Sequence, residues 1–440
     1  MAKRAVSSGT PRTASAKSGT SRLSRLASFF KALGPGIVTG AADDDPSGIA
    51  TYSQVGAQFG FTMLWTMLLT YPLMAGIQEI SAWIGRVTGV GLAGNIRRHY
   101  APLVVNTLVA FLLIANVINL GADIGAMGSA LQLIAGGPAL LYSIVFGVIS
   151  VIAAIVFPYK QYAQYLKWTT LVLFVYAGTA LIVHIPLKLV LLGTFIPSLS
   201  FSNSYLIALT AVFGTTISPY LFFWQASVEV AEQKSAPREK PLKDAPHQAP
   251  AQLERMRSGT YLGMALSNII AFFIILDTAA VLHARGITNI QTSAQAAEAL
   301  RPLAGELAFL LFSIGIIGTG LIAIPVLAGS SAYALAEALK LPIGLERKLQ
   351  RAKGFYAILA VATLIGVALN FTAINPIKAL FWSAVINGLA AVPIMIVMML
   401  MTTNKKITGQ VRLPTLQKVI GWIATGVMFA VAAGMIATLI

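Results

Sequence analysis

The sequence predicts an all-α polytopic membrane protein, and three observations support this prediction. Only 10% of its 440 residues are charged and 57% are hydrophobic, whereas a soluble domain carries about 25% charged residues. Apolar runs of about 20 residues, the length that crosses a bilayer as a helix, recur along the whole chain. The 31 Lys and Arg residues also fall mainly on one side of these runs, the bias that orients membrane proteins.

About eleven apolar spans can be counted, and polar residues and proline interrupt the first and the sixth. The spans cover residues 34–59, 61–84, 103–131, 138–158, 165–186, 204–232, 259–283, 304–337, 354–371, 378–401 and 417–439. We therefore predict one transmembrane domain over 32–440, with a flexible cytoplasmic loop at about 234–257. The basic residues 1–31 predict a disordered cytoplasmic tail; a targeting peptide is the alternative, but no apolar core with a cleavage site is visible.

The distribution of basic residues predicts the topology. Four of the 31 lie on one side of the spans, namely Lys188, Arg285, Arg301 and Lys378, and the other 27 lie on the opposite side together with the N-terminus. This bias predicts a cytoplasmic N-terminus, and eleven spans then leave the C-terminus outside. The net charge of +16 is thus explained by topology and contact with anionic lipid, and not by nucleic-acid binding. The absence of Cys removes thiolate metal ligands.

The first interrupted span contains residues that a membrane helix normally excludes, in the run Asp43-Asp44-Asp45-Pro46-Ser47-Gly48. Proline lacks an amide donor and disfavours helix in the residue before it, so we predict that the helix breaks here. Each Asp costs about 2.5–3.5 kcal/mol at mid-membrane on insertion scales, so the triplet needs water, a cation or a partner. A surface loop between two short helices is the alternative.

The sixth span is interrupted in the same way, by the run Gly214-Thr215-Thr216-Ile217-Ser218-Pro219-Tyr220. One proline kink in a membrane helix is common and usually structural. Two broken spans five helices apart instead indicate an inverted-repeat transporter, with its site near the midplane between the breaks. Unwound carbonyls and an Asp could there replace part of an ion's hydration shell.

With both breaks considered, the sequence resembles the NRAMP family of divalent metal transporters over most of the chain. The matching segments are Gly34-Pro35-Gly36, Asp45-Pro46-Ser47-Gly48, Gln78 through Ala82, Gly85, Val87-Thr88-Gly89, Gly214 to Tyr220 and Ala328-Gly329. The resemblance implies a leucine-transporter-type 5+5 inverted repeat with broken first and sixth helices and one extra helix. It also implies the plasma (inner) membrane of a prokaryote.

The resemblance implies a metal site and a set of residues around it. The implied metal ligands are Asp45, Gly48, Thr215 and Ser218. The implied vestibule or helix-break residues are Asp43, Asp44, Pro46, Ser47, Thr216, Pro219 and Tyr220. Asp123, Asn116 and Glu79 are candidates for an ion or proton pathway. Asp43 and Asp44 could instead cap a helix or pair with Lys or Arg, and Asp277 is expected at the membrane interface.

The sequence departs from the family pattern at positions that, by this resemblance, bind the metal or assist proton movement. Gly48 stands in place of a ligating Asn, Ser218 in place of the thioether of Met, and Tyr220 in place of a His that assists proton movement. In the third span Asn116 and Asp123 align with an acidic pair, so one carboxylate is absent, and Ala126 stands where many members carry Glu.

These departures predict a wider site with oxygen ligands only. Thioethers favour softer transition metals, whereas Mg²⁺ prefers oxygen and commonly keeps several waters behind one or two carboxylates. We therefore expect the sequence to lie closest to the NRAMP-related magnesium transporter branch, carrying Mg²⁺ and also Mn²⁺ with weak or no proton coupling. The transported metal takes the place of a cofactor, and no protein partner is predicted.

Three alternatives remain. A proton-coupled Mn²⁺/Fe²⁺ importer of the same family is compatible with Asp45 and Asp123, although Ser218 and Tyr220 argue against it. An amino-acid carrier of the same architecture would not place three Asp residues at its first break. An enzyme or metal sensor is disfavoured because the sequence shows no HExxH motif, phosphate loop or nucleophile–base pair.

Overall fold

The computed structural model describes residues 36–157 and 169–439. The predicted N-terminal tail and Gly34-Pro35 lie outside these ranges, as do the end of the predicted fourth span and the start of the fifth. Within the described residues a helix is present in each of the eleven predicted spans.

The helices are numbered in chain order through the described residues. They are α1 Gly36–Asp43, α2 Pro46–Phe59, α3 Trp65–Thr88, α4 Leu92–His99, α5 Pro102–Ala135, α6 Ala139–Val156, α7 Phe174–Ile182, α8 Leu187–Phe195, α9 Asn203–Thr216, α10 Pro219–Ser235, α11 Ala249–Val281, α12 Ser293–Ala297, α13 Arg301–Ala304, α14 Ala308–Ala338, α15 Lys353–Leu369, α16 Pro376–Thr403, α17 Lys405–Thr408 and α18 Thr415–Leu439.

The order of the helices is that of the predicted inverted repeat. The first half begins with the broken pair α1 and α2, and the second half begins with the broken pair α9 and α10. Seven helical segments in the described ranges are long and apolar enough to cross a membrane, or eight when a pair bent by 111° between α2 and α3 counts as one. The fold is therefore an all-helical bundle with two broken helices, as expected for the predicted inverted repeat, and with α18 as the extra helix.

The broken sixth span lies at the centre of the bundle. In its most apolar 18-residue stretch 94% of the residues are buried by protein, compared with 22% in α6 and 33% in α18. Apolar residues on α6 and α18 that face outward are suited to lipid, since lipid tails are as apolar as the side chains. The breaks are thus surrounded by protein, where non-helical backbone is tolerated in a membrane.

Helix α1 packs unusually closely on α11 because glycines meet across the contact. Gly36 and Gly40 are four residues apart, as are Gly259 and Gly263. A Cβ built on Gly36 would lie 2.4 Å from the Gly259 carbonyl carbon, and one built on Gly40 would lie 2.3 Å from the Gly263 carbonyl oxygen. Small residues at this spacing let two helix backbones approach, so α1 fits on α11 only because both lack side chains here.

The predicted flexible loop at 234–257 is shorter and more ordered than expected. Helix α10 continues to Ser235 and α11 begins at Ala249. Between them Leu242 is fully buried, and its amide donates to the Arg86 carbonyl oxygen at 3.1 Å. The sequence suggested a loop because Pro, Gln and charges are mixed there, but this backbone pairing anchors it to the end of α3.

The same end of α3 carries a buried ion network. The Arg86 guanidinium is fully buried and binds three carboxylates. Its Nε lies 2.6 Å from Glu229, its Nη1 lies 2.7 Å from Glu239, and its Nη2 contacts Glu232. These contacts join α3, α10 and the following loop at the end of the bundle predicted to be cytoplasmic.

Candidate functional site at the two helix breaks

The first break lies where the sequence placed it, between α1 and α2. Helix α1 ends at Asp43, Pro46 is the first residue of α2, and Asp45 caps that helix by accepting a hydrogen bond from the Gly48 amide at 2.7 Å. Asp is a favoured N-cap and proline a favoured first helical residue. The local sequence therefore both ends one helix and starts the next, and it leaves Asp45 at the gap.

The second break is equally short. Helix α9 ends at Thr216 and α10 begins at Pro219, so only Ile217 and Ser218 are non-helical. The Ser218 hydroxyl lies 2.7 Å from the Thr215 carbonyl oxygen and 2.9 Å from the Gly214 carbonyl oxygen. Helix C-termini present unpaired carbonyls and N-termini present amides, so each break offers both signs of partial charge.

The two breaks are in direct contact. A Cβ on Gly48 would lie 3.2 Å from Thr215 Oγ1, and the Tyr220 hydroxyl lies 3.2 Å from Asp45 Oδ2 and 3.3 Å from the Ala42 carbonyl oxygen. Asp45, Thr215 and Ser218 are all buried. The wide site predicted from the small side chains is therefore not seen in this conformation, because α9 and α10 close directly onto the first break.

A polar chain that the sequence analysis missed supports Asp45 from α5 and α16. The Asn119 amide donates to Asp45 Oδ2 at 3.0 Å, and its oxygen accepts from the Ser383 hydroxyl at 2.7 Å. Ser383 also lies 3.0 Å from the Ser47 hydroxyl, which donates to the Leu380 carbonyl oxygen. A signal for Asn119 was present, since it shares one face of α5 with Asn116 and Asp123 at spacings of three and four.

The three predicted pathway residues lie in different places. Asp123 is fully buried, lies within hydrogen-bonding reach of the Ser47 backbone amide, and is within electrostatic range of Asp45. The Asn116 amide instead donates to Leu327, Ser330 and Ser331 of α14. Glu79 binds Arg257 at 2.5 Å and Tyr261 at 3.1 Å. The structure therefore brings only Asp123 to the break.

Asp43 and Asp44 meet a hydroxyl group of α11. Ser267 Oγ lies 2.5 Å from Asp43 Oδ2 and 2.9 Å from Asp44 Oδ1. The other Asp43 oxygen, Oδ1, has no partner among the described residues. No Lys or Arg within residues 36–157 and 169–439 forms an ion pair with either Asp. The alternative that these acids pair with a basic residue is therefore not seen.

The break thus brings acidic side chains together without a protein cation. Asp43, Asp44, Asp45 and Asp123 are at most 2% exposed, and Asp45 lies within electrostatic range of the other three. No three His, Cys, Asp or Glu side chains in the described ranges are arranged as a metal centre. A cation bound here would take one firm carboxylate, from Asp45, and further oxygens from carbonyls, hydroxyls and water.

Comparison with known proteins agrees with this architecture. The family profile described as "Natural resistance-associated macrophage protein-like" matches residues 36–438. The divalent metal cation transporter MntH of Deinococcus radiodurans is 25% identical over 407 residues, covering 90% of this chain and 87% of the relative. MntH of Aeromonas hydrophila is 25% identical over 418 residues, covering 93% of this chain and 96% of the relative.

Solved structures show the same fold. A manganese transporter of Eremococcus coleocola superposes with a TM-score of 0.72 at 17% identity, covering 93% of this chain and 87% of that one. Mhp1, a nucleobase-cation-symport-1 family transporter, superposes with a TM-score of 0.57 at 14% identity, covering 92% of each chain. The profile match spans nearly the whole chain and agrees with the paired breaks, so this protein belongs to the Nramp family.

Proposed function

We propose that this membrane protein carries divalent metal ions across the bilayer by alternating access, with the ion bound at Asp45 between the two breaks. The observation that carries the proposal is the set of four buried carboxylates at the break that no Lys or Arg of the described residues neutralises. Such charges are rare within a membrane and mark ion pathways. The relatives named divalent metal cation transporter support the same class of substrate.

Ion binding would exchange one set of contacts for another. Asp45 Oδ2 now accepts from Asn119 and Tyr220, and the Thr215 carbonyl accepts from Ser218. An arriving cation would take up these oxygens, and the Tyr220 hydroxyl would turn toward another acceptor or water while Asn119 continues to hold the Asp45 carboxylate. The carbonyl ends of α1 and α9 carry partial negative charge, so they favour a cation at the same place.

Ligand chemistry favours Mg²⁺, with Mn²⁺ also carried. The side chains of Asp45, Thr215 and Ser218 offer oxygen only, and Mg²⁺ prefers oxygen ligands and keeps several waters. A hydrated ion needs more room than the closed site leaves, so it would enter when α1 and α2 separate from α9 and α10. The membrane potential supplies about 2.3 kcal/mol per charge per 100 mV, and a divalent ion gains twice that, so proton coupling is not required.

A specific observation favours the second candidate, a proton-coupled Mn²⁺ importer. Met127 and Pro46 both lie against Gly320. A Cβ built on Gly320 would be 2.5 Å from Met127 Sδ and 3.4 Å from Pro46 Cγ. A thioether therefore lies near the first break, supplied by α5 and not by α10, and thioethers favour softer metals. Asp123, one turn before Met127, would be the proton carrier. The Eremococcus coleocola relative is named a manganese transporter.

The proposal includes no enzymatic step, bound cofactor, nucleic acid or protein partner; the metal and the lipid bilayer are the partners it requires. The cytoplasmic N-terminus and the external C-terminus are part of the proposal and follow from the charge bias alone.

The test is metal uptake by proteoliposomes that contain the full chain, with Mg²⁺, Mn²⁺ and Ca²⁺ compared and internal pH recorded. We expect Mg²⁺ and Mn²⁺ uptake without acidification, loss of uptake in Asp45→Asn, and normal uptake in Asp244→Asn, a control acid that is exposed. Mn²⁺ uptake with acidification and no Mg²⁺ uptake would select the second candidate. Full uptake of both metals by Asp45→Asn would remove the site assignment.

A further inference from the structure

A further carboxylate without a partner lies in the bundle, away from the four acids at the breaks. Asp277 is on α11, four residues before that helix ends. The sequence suggested a position at the membrane interface, but its side chain is 0% exposed, and neither of its oxygens has a hydrogen-bond partner among the described residues. A buried carboxylate without a partner is unusual, and the contacts at the two breaks do not explain this one.

Two further buried hydroxyl groups lie beside it. Tyr176 of α7 lies within electrostatic range of Asp277 and within hydrogen-bonding reach of Ser53 of α2. Tyr176 is 1% and Ser53 0% exposed, and apart from each other neither hydroxyl has a hydrogen-bond partner in the part of the chain described. Three helices therefore bring a carboxylate that has no partner close to a pair of buried hydroxyl groups.

A small cavity lies beside this cluster, on the side of Ser53. Ser53 and Ala50 of α2 line a cavity of about 10 Å³ together with Ala126 of α5 and Leu380 of α16, enough for about one water. Leu380 accepts the hydrogen bond of Ser47, and Ala126 lies three residues after Asp123. The cavity therefore lies between Ser53 and the residues that border the central site, and Ser53 is about two helical turns of α2 from Asp45.

We propose that Asp277, Tyr176 and Ser53 form an outer cation site at which a divalent metal ion binds before it reaches Asp45. This proposal rests on the proposed function and adds a second binding site to it. One carboxylate and two hydroxyl oxygens are ligands suited to a hard divalent ion, and because the waters that it retains need more room than this conformation leaves, the ion would bind in a more open one. Asp277 lies near the end of α11 that is predicted to be extracellular, so the order of binding is the outer cluster first and Asp45 second.

The first test is the kinetics of uptake by Asp277→Asn, which keeps the shape of the side chain and removes its charge. We expect the KM for Mg²⁺ and Mn²⁺ to rise about tenfold with Vmax within about twofold, because a loss of affinity without a change in turnover shows the loss of a binding contact. The control is Asp244→Asn. An unchanged KM in Asp277→Asn would overturn the proposal.

The second test reads binding without transport and uses the absence of Cys in the chain. Ser53→Cys provides a single thiol, whose modification by a methanethiosulfonate reagent from outside is timed with and without Mn²⁺. We expect Mn²⁺ to slow the modification of Ser53→Cys. The slowing should be the same in the Ser53→Cys/Asp45→Asn double variant and absent in the Ser53→Cys/Asp277→Asn double variant. If Mn²⁺ protects equally in the Asp277→Asn background, the outer site is wrong. Loss of uptake in Asp45→Asn without any protection of Ser53→Cys would leave the proposed function intact and overturn only the outer site.

Discussion

The Asn119 amide donates a hydrogen bond to Oδ2 of Asp45 at 3.0 Å, and this contact fixes the carboxylate between the two broken helices. Asn119 is itself held by Ser383, so three helices determine where the Asp45 oxygens point. A ligand group held in one orientation binds an ion with less loss of conformational freedom.

Removal of this contact should therefore weaken metal binding. We expect Asn119→Ala to raise the KM for uptake about tenfold, which is about 1.4 kcal/mol and typical of a hydrogen bond to a charged group. The matched control is Asn387→Ala, which removes a buried amide of α16 outside this network. Equal KM values in the two variants would show that Asn119 does not position Asp45.

The identity of residue 218 should set the preference among metals. Ser218→Met places a thioether at the second break, and we expect the ratio of Mn²⁺ or Cd²⁺ uptake to Mg²⁺ uptake to rise by about tenfold, since sulfur favours softer ions. Ser218→Leu is the control because it adds similar bulk without sulfur. Competition uptake measures the ratio; the same ratio in both variants would count against a role in selectivity.

A substitution of Met127 tests whether a thioether from α5 affects the choice of metal. If it contributes to metal choice from α5, Met127→Leu should lower Mn²⁺ uptake relative to Mg²⁺ while the fold is retained, because the two side chains are similar in volume. If Met127 only packs against Gly320, the ratio will stay constant, and the second candidate function loses the structural observation that favours it.

The buried ion network at the end of α3 should contribute to stability more than an exposed pair does. Arg86→Met leaves the fully buried Glu229 without its cation, which costs about 3–5 kcal/mol, while Arg86→Met/Glu229→Met should recover much of this loss. Arg301→Met, whose ion pairs are exposed, should leave the Tm unchanged. The Tm of each of the three variants is measured by thermal unfolding in detergent. Equal Tm values for Arg86→Met and Arg301→Met would contradict a stabilising role of the buried network.

The glycine contact between α1 and α11 should control whether the predicted cytoplasmic end can close. A Cβ at Gly40 would overlap the Gly263 backbone, so we expect Gly40→Ala to displace α1 and lower the Vmax of uptake. In the same variant an added Ala42→Cys, buried in the parent, should become reactive to maleimide. The control is Gly426→Ala, where a Cβ meets nothing within 4 Å. An unreactive thiol at position 42 would mean that α1 stays closed.

Both helix breaks could be predicted from the sequence because the residues that cause them are adjacent in the chain. Proline directly follows the N-cap residue at Asp45-Pro46 and at Ser218-Pro219, and a residue of this type before proline is a common start of a helix. The apolar spans could also be predicted from the sequence, because their length follows from the thickness of the bilayer.

The contacts made by the site residues could not be predicted in the same way. Asn119 is 74 positions from Asp45 and Ser383 is 336 from Ser47, and which residues face each other depends on how the helices pack. Single serines such as Ser267 are common in apolar spans and give no signal alone. The roomy site predicted from the small side chains is not seen in the closed conformation for the same reason, since side-chain size does not show how closely the two broken helices approach.

The most direct test of the central claim is the position of a bound metal in a crystal of the full chain grown with Mn²⁺ and measured at an anomalous wavelength. We predict an anomalous peak between the Asp45 carboxylate and the Thr215–Ser218 break, and its absence in crystals of Asp45→Asn. A peak that persists in Asp45→Asn, or that lies elsewhere in the bundle with none at the breaks, would contradict the account.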